Sequence, residues 1–140
     1  MKDKGQQLSS ASIYHLGIQL LNLLERIHTA GYIFNDLKPD NILLGFNSRV
    51  KRPQNTSDGH NIFEGCSIHI VDFGFSSEYV NKETGEHLEQ NEVKTFKGNL
   101  IFASLSKLRF QMASRRDDML SLGFFLIYLL NNLYLPGINF

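Results

Sequence analysis

Asp36, Lys38, Asn41 and Asp72 are the residues whose types and spacing could do chemistry together. The run Asp36-Leu37-Lys38-Pro39-Asp40-Asn41 sets a carboxylate, an ammonium and an amide within one short loop, and Asp72-Phe73-Gly74 brings a second carboxylate downstream. Phosphoryl transfer needs such a set, because the protein does little covalent chemistry there: it positions a hydroxyl, holds Mg²⁺ and neutralises charge developing on the transferred group. An Asp five residues before an Asn, with a second Asp on a later strand, provides one acceptor for a hydroxyl proton and two oxygen ligands for a hard cation. Lys38, two residues after Asp36, puts a point charge beside a moving phosphate. Singly, Asp, Asn and Lys are ordinary turn residues; their joint spacing makes the set informative.

These residues need elements to hold them. Upstream, Ile13, Leu16, Leu20, Leu23, Leu24 and Ile27 form a 3.6-residue apolar stripe, with Ser9 and Ser10 offering N-caps and Gly31 a C-cap. The loop Phe34 to Asn41 follows this helix, and Ile42-Leu43-Leu44 reads as a short strand leading out. Ser67 to Val71 reads as a buried strand running into Asp72, with His69 facing outward. His15, His28, His60, His69 and His87 sit with no nucleophile partners, so none is read as catalytic. Met119 to Leu130 is apolar at nearly every position, yet spanning a bilayer takes about 20 residues. Interrupted by Ser121 and Gly123, this stretch predicts a buried core helix, and Ser114, Asp117 and Asp118 make a good helix start.

Two polar stretches divide the chain. The first, residues 46–66, carries Arg49, Lys51 and Arg52 among Asn, Ser, Thr, Gly and Pro and predicts a flexible surface loop with no assigned function. The second, residues 76–97, holds five Glu and three Lys and reads as a solvated, mobile loop. The 140 residues suffice for one domain, and 42% hydrophobic content with 11 Phe supplies a core. Formal charge is zero, pointing to neither nucleic acid nor an anionic membrane as partner. Cys66 is the single cysteine and forms no internal disulfide. The polar start Met1 to Gln7 carries no secretory signal, so an intracellular setting, cytoplasmic or nuclear, is expected and the Asn55-Thr56-Ser57 acceptor pattern is accidental.

At Asp36 to Asn41 and Asp72 to Gly74 the sequence resembles the C-terminal lobe of a eukaryotic-type Ser/Thr protein kinase. Ser114-Arg115-Arg116-Asp117-Asp118 with Ser121-Leu122-Gly123 is most similar to the casein kinase I group, and the resemblance runs from Leu8 to Pro136. It implies an α+β fold, mainly α, with small β-hairpins around the catalytic loop, and residues 76–97 as the activation segment. ATP and Mg²⁺ are the implied cofactors, and a protein Ser or Thr hydroxyl the implied substrate. Asp36 would be the catalytic carboxylate, Lys38 would contact the γ-phosphate, and Asn41 and Asp72 would hold Mg²⁺. Gly74 would allow the turn that aims Asp72, Phe73 would pack beneath the site, and Asp118 would tie the late helix to the catalytic-loop backbone.

The sequence also departs from that family. It contains no Gly-x-Gly-x-x-Gly and no Val-Ala-x-Lys before Asp36. The expectation is a partial domain over residues 1–140, lacking the N-terminal lobe and the last C-lobe helices, with the missing lobe a possible partner from the same gene. The chain alone is then expected to be inactive. Phe34-Asn35 stands where the family has His-Arg: Phe34 keeps a stacking role without the hydrogen bond, and Asn35 removes the usual partner of an activation-segment phosphate. Asn99 replaces a hydroxyl that braces the catalytic Asp and Lys, and Ile101 replaces an Arg that helps bind anionic substrates. A divergent Ser/Thr kinase and a pseudokinase or truncated remnant acting as a non-catalytic binding module both remain open on the sequence.

Overall fold

The upstream apolar stripe folds as α1 (Ser10–Thr29) in a computed structural model that describes residues 8–46 and 62–137. Ser9 starts the helix, its Oγ accepting from Ser12 N at 3.2 Å. Ile13, Leu16, Leu20 and Leu24 are buried, with Leu23 and Ile27 half-buried beside them. At the far end Ala30 caps the helix and Gly31 adopts φ +89°, where a Cβ would lie 2.8 Å from Val80 Cγ2. Glycine is therefore required on both conformational and steric grounds.

The chain then makes two small antiparallel pairs. β1 (Tyr32–Ile33) lies against β4 (Ser77–Glu78), with Tyr32 opposite Glu78 and Ile33 opposite Ser77. Between them, a 3-10 turn (Pro39–Asn41) leads into β2 (Ile42–Phe46), which pairs with β3 (Cys66–Ile70) from Ile42–Ile70 to Phe46–Cys66. The expected hairpin is thus found for β2–β3, whereas β1–β4 joins segments distant in sequence. β3 begins one residue earlier than expected and stops before Val71, whose N–H donates to Asn41 O at 3.0 Å.

Residues 47–61, with Arg49, Lys51, Arg52, the Asn55-Thr56-Ser57 pattern and His60, lie outside the described residues, as do Met1 to Gln7. The described end of that stretch is not simple surface loop: Phe63 joins the core and Ile62 N donates to Ser12 Oγ at 2.9 Å.

Two further helices follow. α2 (Leu105–Leu108) is a single turn capped by Ser104, whose Oγ accepts from Lys107 N. α3 (Arg115–Leu130) starts as expected, with Asp117 Oδ2 accepting from Ser114 N at 2.7 Å and from its hydroxyl at 3.0 Å. Its burial corrects the all-round expectation. Leu122, Phe125 and Leu129 face the core, while Met119, Leu120, Phe124, Ile127 and Leu130 are exposed. The reason is geometric: α1 and the Ile101–Phe102 segment cover only one stripe at 3–4 spacing. On that stripe Phe102 meets Phe125 and Tyr128 edge-to-face at 5.7 and 5.4 Å, and a Cβ on Gly17 would lie only 3.1 Å from Leu126 Cδ1.

Candidate active site

Phe34 to Asn41 runs between β1 and β2, held from below by both helices. Asp118, buried at the start of α3, accepts from Phe34 N at 2.8 Å through Oδ2 and from Asn35 N at 2.9 Å through Oδ1. His28 near the end of α1 reaches the same carboxylate, Nε2 to Oδ2 2.9 Å. Three donors therefore satisfy one buried carboxylate, which a buried charge needs if it is not to be costly. The expected tether is present, and His28 adds a structural contact that the sequence reading did not find.

Asn35 turns the chain toward the site. Its φ is +72°, a left-handed step that Asn tolerates better than most residues. The side chain folds inward, Nδ2 donating to Phe75 O at 3.0 Å and Ser77 Oγ at 2.9 Å. Phe34, fully buried, meets Phe73 edge-to-face at 5.4 Å between centroids, which gives Phe34 an aromatic partner, while Phe73 itself stays half exposed.

Asp36 itself has no exposed surface. Its Oδ2 takes Lys38 Nζ at 2.9 Å and Asn41 Nδ2 at 2.8 Å, and Asn41 Nδ2 also donates to the Asp36 carbonyl at 2.9 Å. Oδ1 of Asp36 is buried with no hydrogen-bond partner. Two donors thus orient the carboxylate and leave one oxygen uncommitted, an arrangement that calls for an explanation in a folded protein. The Asp36 hydrogen bond is also the main reason the Lys38 pKa is raised above the ordinary lysine value, with Asp40 and Asp72 adding to it. Lys38 is therefore a cation at neutral pH.

Asp72 follows Val71, whose N–H donates to Asn41 O, and its charge acts on Lys38 through space without a direct contact. The left-handed step lies at Asp72 itself, φ +63°, rather than at Gly74. Gly74 contributes differently: its N–H donates to Asp72 Oδ1 at 3.2 Å, and a Cβ there would crowd that oxygen at 3.1 Å.

The donor set fits Mg²⁺. With its Nδ2 committed to Asp36, Asn41 has its amide oxygen to offer, and Asp72 presents an exposed carboxylate. Hard oxygen ligands few in number suit an ion that keeps waters and takes the rest of its shell from phosphates. No cluster of three or more His, Cys, Asp or Glu that could cage a metal occurs among the described residues. Nor is any described helix long and apolar enough to cross a membrane.

Asn99 does not brace this site. Its Oδ1 accepts from Ile101 N at 2.6 Å and Phe102 N at 3.2 Å, closing its own turn. Residues 76–97 are exposed over most of their length but anchored. Buried Tyr79 donates its hydroxyl to His28 O at 2.6 Å, and bridges join Val80 to His87 and Glu92 to Gln111.

Comparison with known proteins adds ancestry to this geometry. The family described as protein kinase domain matches residues 1–136. Casein kinase I homolog RAG8 of Kluyveromyces lactis is 32% identical over 126 residues, covering 90% of this chain and 21% of the relative. Casein kinase I homolog 1 of Saccharomyces cerevisiae is 32% identical over 132 residues, covering 94% and 22%. Casein kinase I homolog 2 of the same yeast is 29% identical over 126 residues, covering 90% and 21%. The chain thus spans about a fifth of the length of these curated relatives.

Proposed function

The chain belongs to the protein kinase domain family, and from that premise we propose that its site transfers the γ-phosphate of ATP to a Ser or Thr hydroxyl of a protein substrate. The observation that carries the reading is the Asp36 carboxylate, oriented through Oδ2 and uncommitted at Oδ1. Asp36 Oδ1 is buried as the chain stands, so substrate engagement has to uncover it. A substrate hydroxyl hydrogen-bonded there would then be aimed for in-line attack, its oxygen bonding to phosphorus as the bond to the ADP oxygen breaks and its proton passing to Asp36. Lys38, a cation beside Asp36, would offset charge on the moving phosphoryl group. Asn41 and Asp72 would hold Mg²⁺, which when bound neutralises phosphate oxygens. The described elements correspond in this reading to the C-terminal lobe and residues 76–97 to the activation segment. The phosphate-covering Gly-rich loop is assigned to an N-terminal lobe that contributes the rest of the nucleotide site.

Phosphate transfer from labelled ATP to casein in Mg²⁺ tests the reading, in the polypeptide that carries this sequence. Asp36→Asn is expected to lower kcat by about 10² to 10⁴, the usual worth of a positioned general base, with ATP affinity little changed. Transfer that survives Asp36→Asn at full rate overturns the assignment. Mg²⁺·ATP should raise the thermal midpoint of the wild type and fail to do so in Asp72→Asn.

A second reading, a nucleotide-responsive binding module without transfer, is favoured by one observation. Asn99 is spent on its own turn and leaves Asp36 and Lys38 unbraced from that side. Stabilisation by Mg²⁺·ATP with no labelled product would select it.

A further inference from the structure

Lys107 lies on α2, is only 5% exposed, and points its ammonium at the loop before Asp36: Nζ donates to the Asn35 carbonyl at 2.7 Å. Lysine is almost never buried this deeply unless its charge is matched. Among the described residues no carboxylate lies within ion-pair distance of it. The Phe96 ring sits 5.5 Å away, and Asp118, Asp117 and Asp36 act on it only through space. A buried cation spent on a single main-chain oxygen is an expensive device, and the oxygen it meets is not an arbitrary one.

Asn35 is the left-handed residue immediately before Asp36, and it is held from three sides. Its N–H goes to Asp118, its Nδ2 to Phe75 and Ser77, and its carbonyl to Lys107, while its buried Oδ1 has no partner. The Asn35 C=O and the Asp36 N–H belong to one rigid peptide plane. Fixing that oxygen therefore fixes the plane from which Asp36 projects. Gly98 shows how closely the arrangement is packed. A Cβ there would stand 2.1 Å from Asn35 O and 3.2 Å from Lys107 Nζ, so only glycine leaves room for the contact.

We propose that Lys107 is a positioning residue for phosphoryl transfer: its hydrogen bond to the Asn35 carbonyl locks the peptide unit that carries Asp36. This rests on the phosphotransferase reading above for its consequence, though not for the contact itself. The lock comes from inside the protein and needs no phosphate on residues 76–97.

The test compares wild type, Lys107→Met and Lys107→Arg in two measurements. Amide hydrogen exchange should accelerate about tenfold or more at Phe34, Asn35 and Asp36 in Lys107→Met, while α1 and α3 exchange as in the wild type. In the transfer assay kcat should fall about tenfold with KM for ATP little changed, and Lys107→Arg, which restores a cationic donor, should recover much of the loss. Unchanged exchange at Asn35 and Asp36 in a folded Lys107→Met protein overturns the proposal, as does equal acceleration across both helices, which marks a purely structural role. If no phosphate is transferred by any form, the functional reading fails and the exchange result still decides the lock. If Lys107→Met does not fold, the wild type decides: a through-hydrogen-bond NMR coupling from Lys107 Nζ to the Asn35 carbonyl carbon supports the lock, and its absence overturns it.

Discussion

Two lysines flank the Asp36 loop, and their environments push them in opposite directions. Burial is the largest influence on Lys107 and lowers its pKa below the ordinary 10.5, against the pull of Asp118, Asp117 and Asp36. Just below pH 10.5 the unfolded chain therefore holds this proton more tightly than the folded one, and stability rises with pH through that window. Lys38 behaves conversely. Its pKa is raised by Asp36, so its contribution is full below 10.5 and is lost only as pH climbs through the higher folded value. Urea unfolding from about pH 8 to pH 10 should accordingly show wild type gaining stability relative to Lys107→Met as pH increases. A constant difference would mean that Lys107 is not desolvated as the structure has it. Asp36, Lys38 and Asn41 were legible in the sequence because they fall within one turn of chain, and local spacing survives folding. Lys107 was not, because nothing local distinguishes it. Its meaning comes from a carbonyl 72 residues away in the chain.

At the scale of elements, Asp118 does more than complement a helix end. It receives two loop amides and the His28 ring, so α1, α3 and the Phe34–Asn41 loop meet at one carboxylate. Replacing it with Ala would leave two buried N–H groups without an acceptor, at about 1–3 kcal/mol each before relaxation. Asp118→Ala should therefore lower unfolding stability by about 2–5 kcal/mol, and Asp118→Asn, which keeps one acceptor oxygen, by less. Chemical denaturation with both variants checks the order. An Asp118→Ala protein within 0.5 kcal/mol of wild type, about the scatter of ordinary surface substitutions, would show that the loop holds itself. The two long helices and their starts were readable from caps and periodicity, since Ser9 and the Ser114–Asp117 pair both act as their positions suggest, whereas the single-turn α2 was not. Partnering was less readable. The β1–β4 pair is two residues long on each side, too short for a pattern, and the Phe63 anchor sits at the end of a stretch whose composition is otherwise polar.

On the whole molecule, the outward side of α3 has a physical consequence. Met119, Leu120, Phe124, Ile127 and Leu130 are exposed there, and on α1 so are Tyr14, Ile18 and Leu21, with Leu21 and Met119 lining one groove. A helix apolar on every face cannot declare from sequence which face its neighbours will cover; only the packed fold decides, and here α1 takes a single stripe. Apolar patches of this kind are rare on soluble monomers, because water gains by their removal at roughly 25 cal/mol per Å². The 140-residue chain is therefore expected to self-associate in a concentration-dependent way, seen as rising weight-average mass in sedimentation velocity. Phe124→Lys with Ile127→Glu should shift it toward monomer. Unfolding stability should change by no more than about 0.5 kcal/mol, since neither side chain belongs to the core. If the double variant associates as strongly as wild type, the attraction lies on another surface. If it unfolds instead, those two side chains pack against something in solution that the exposed face does not reveal, and the helix is buried after all.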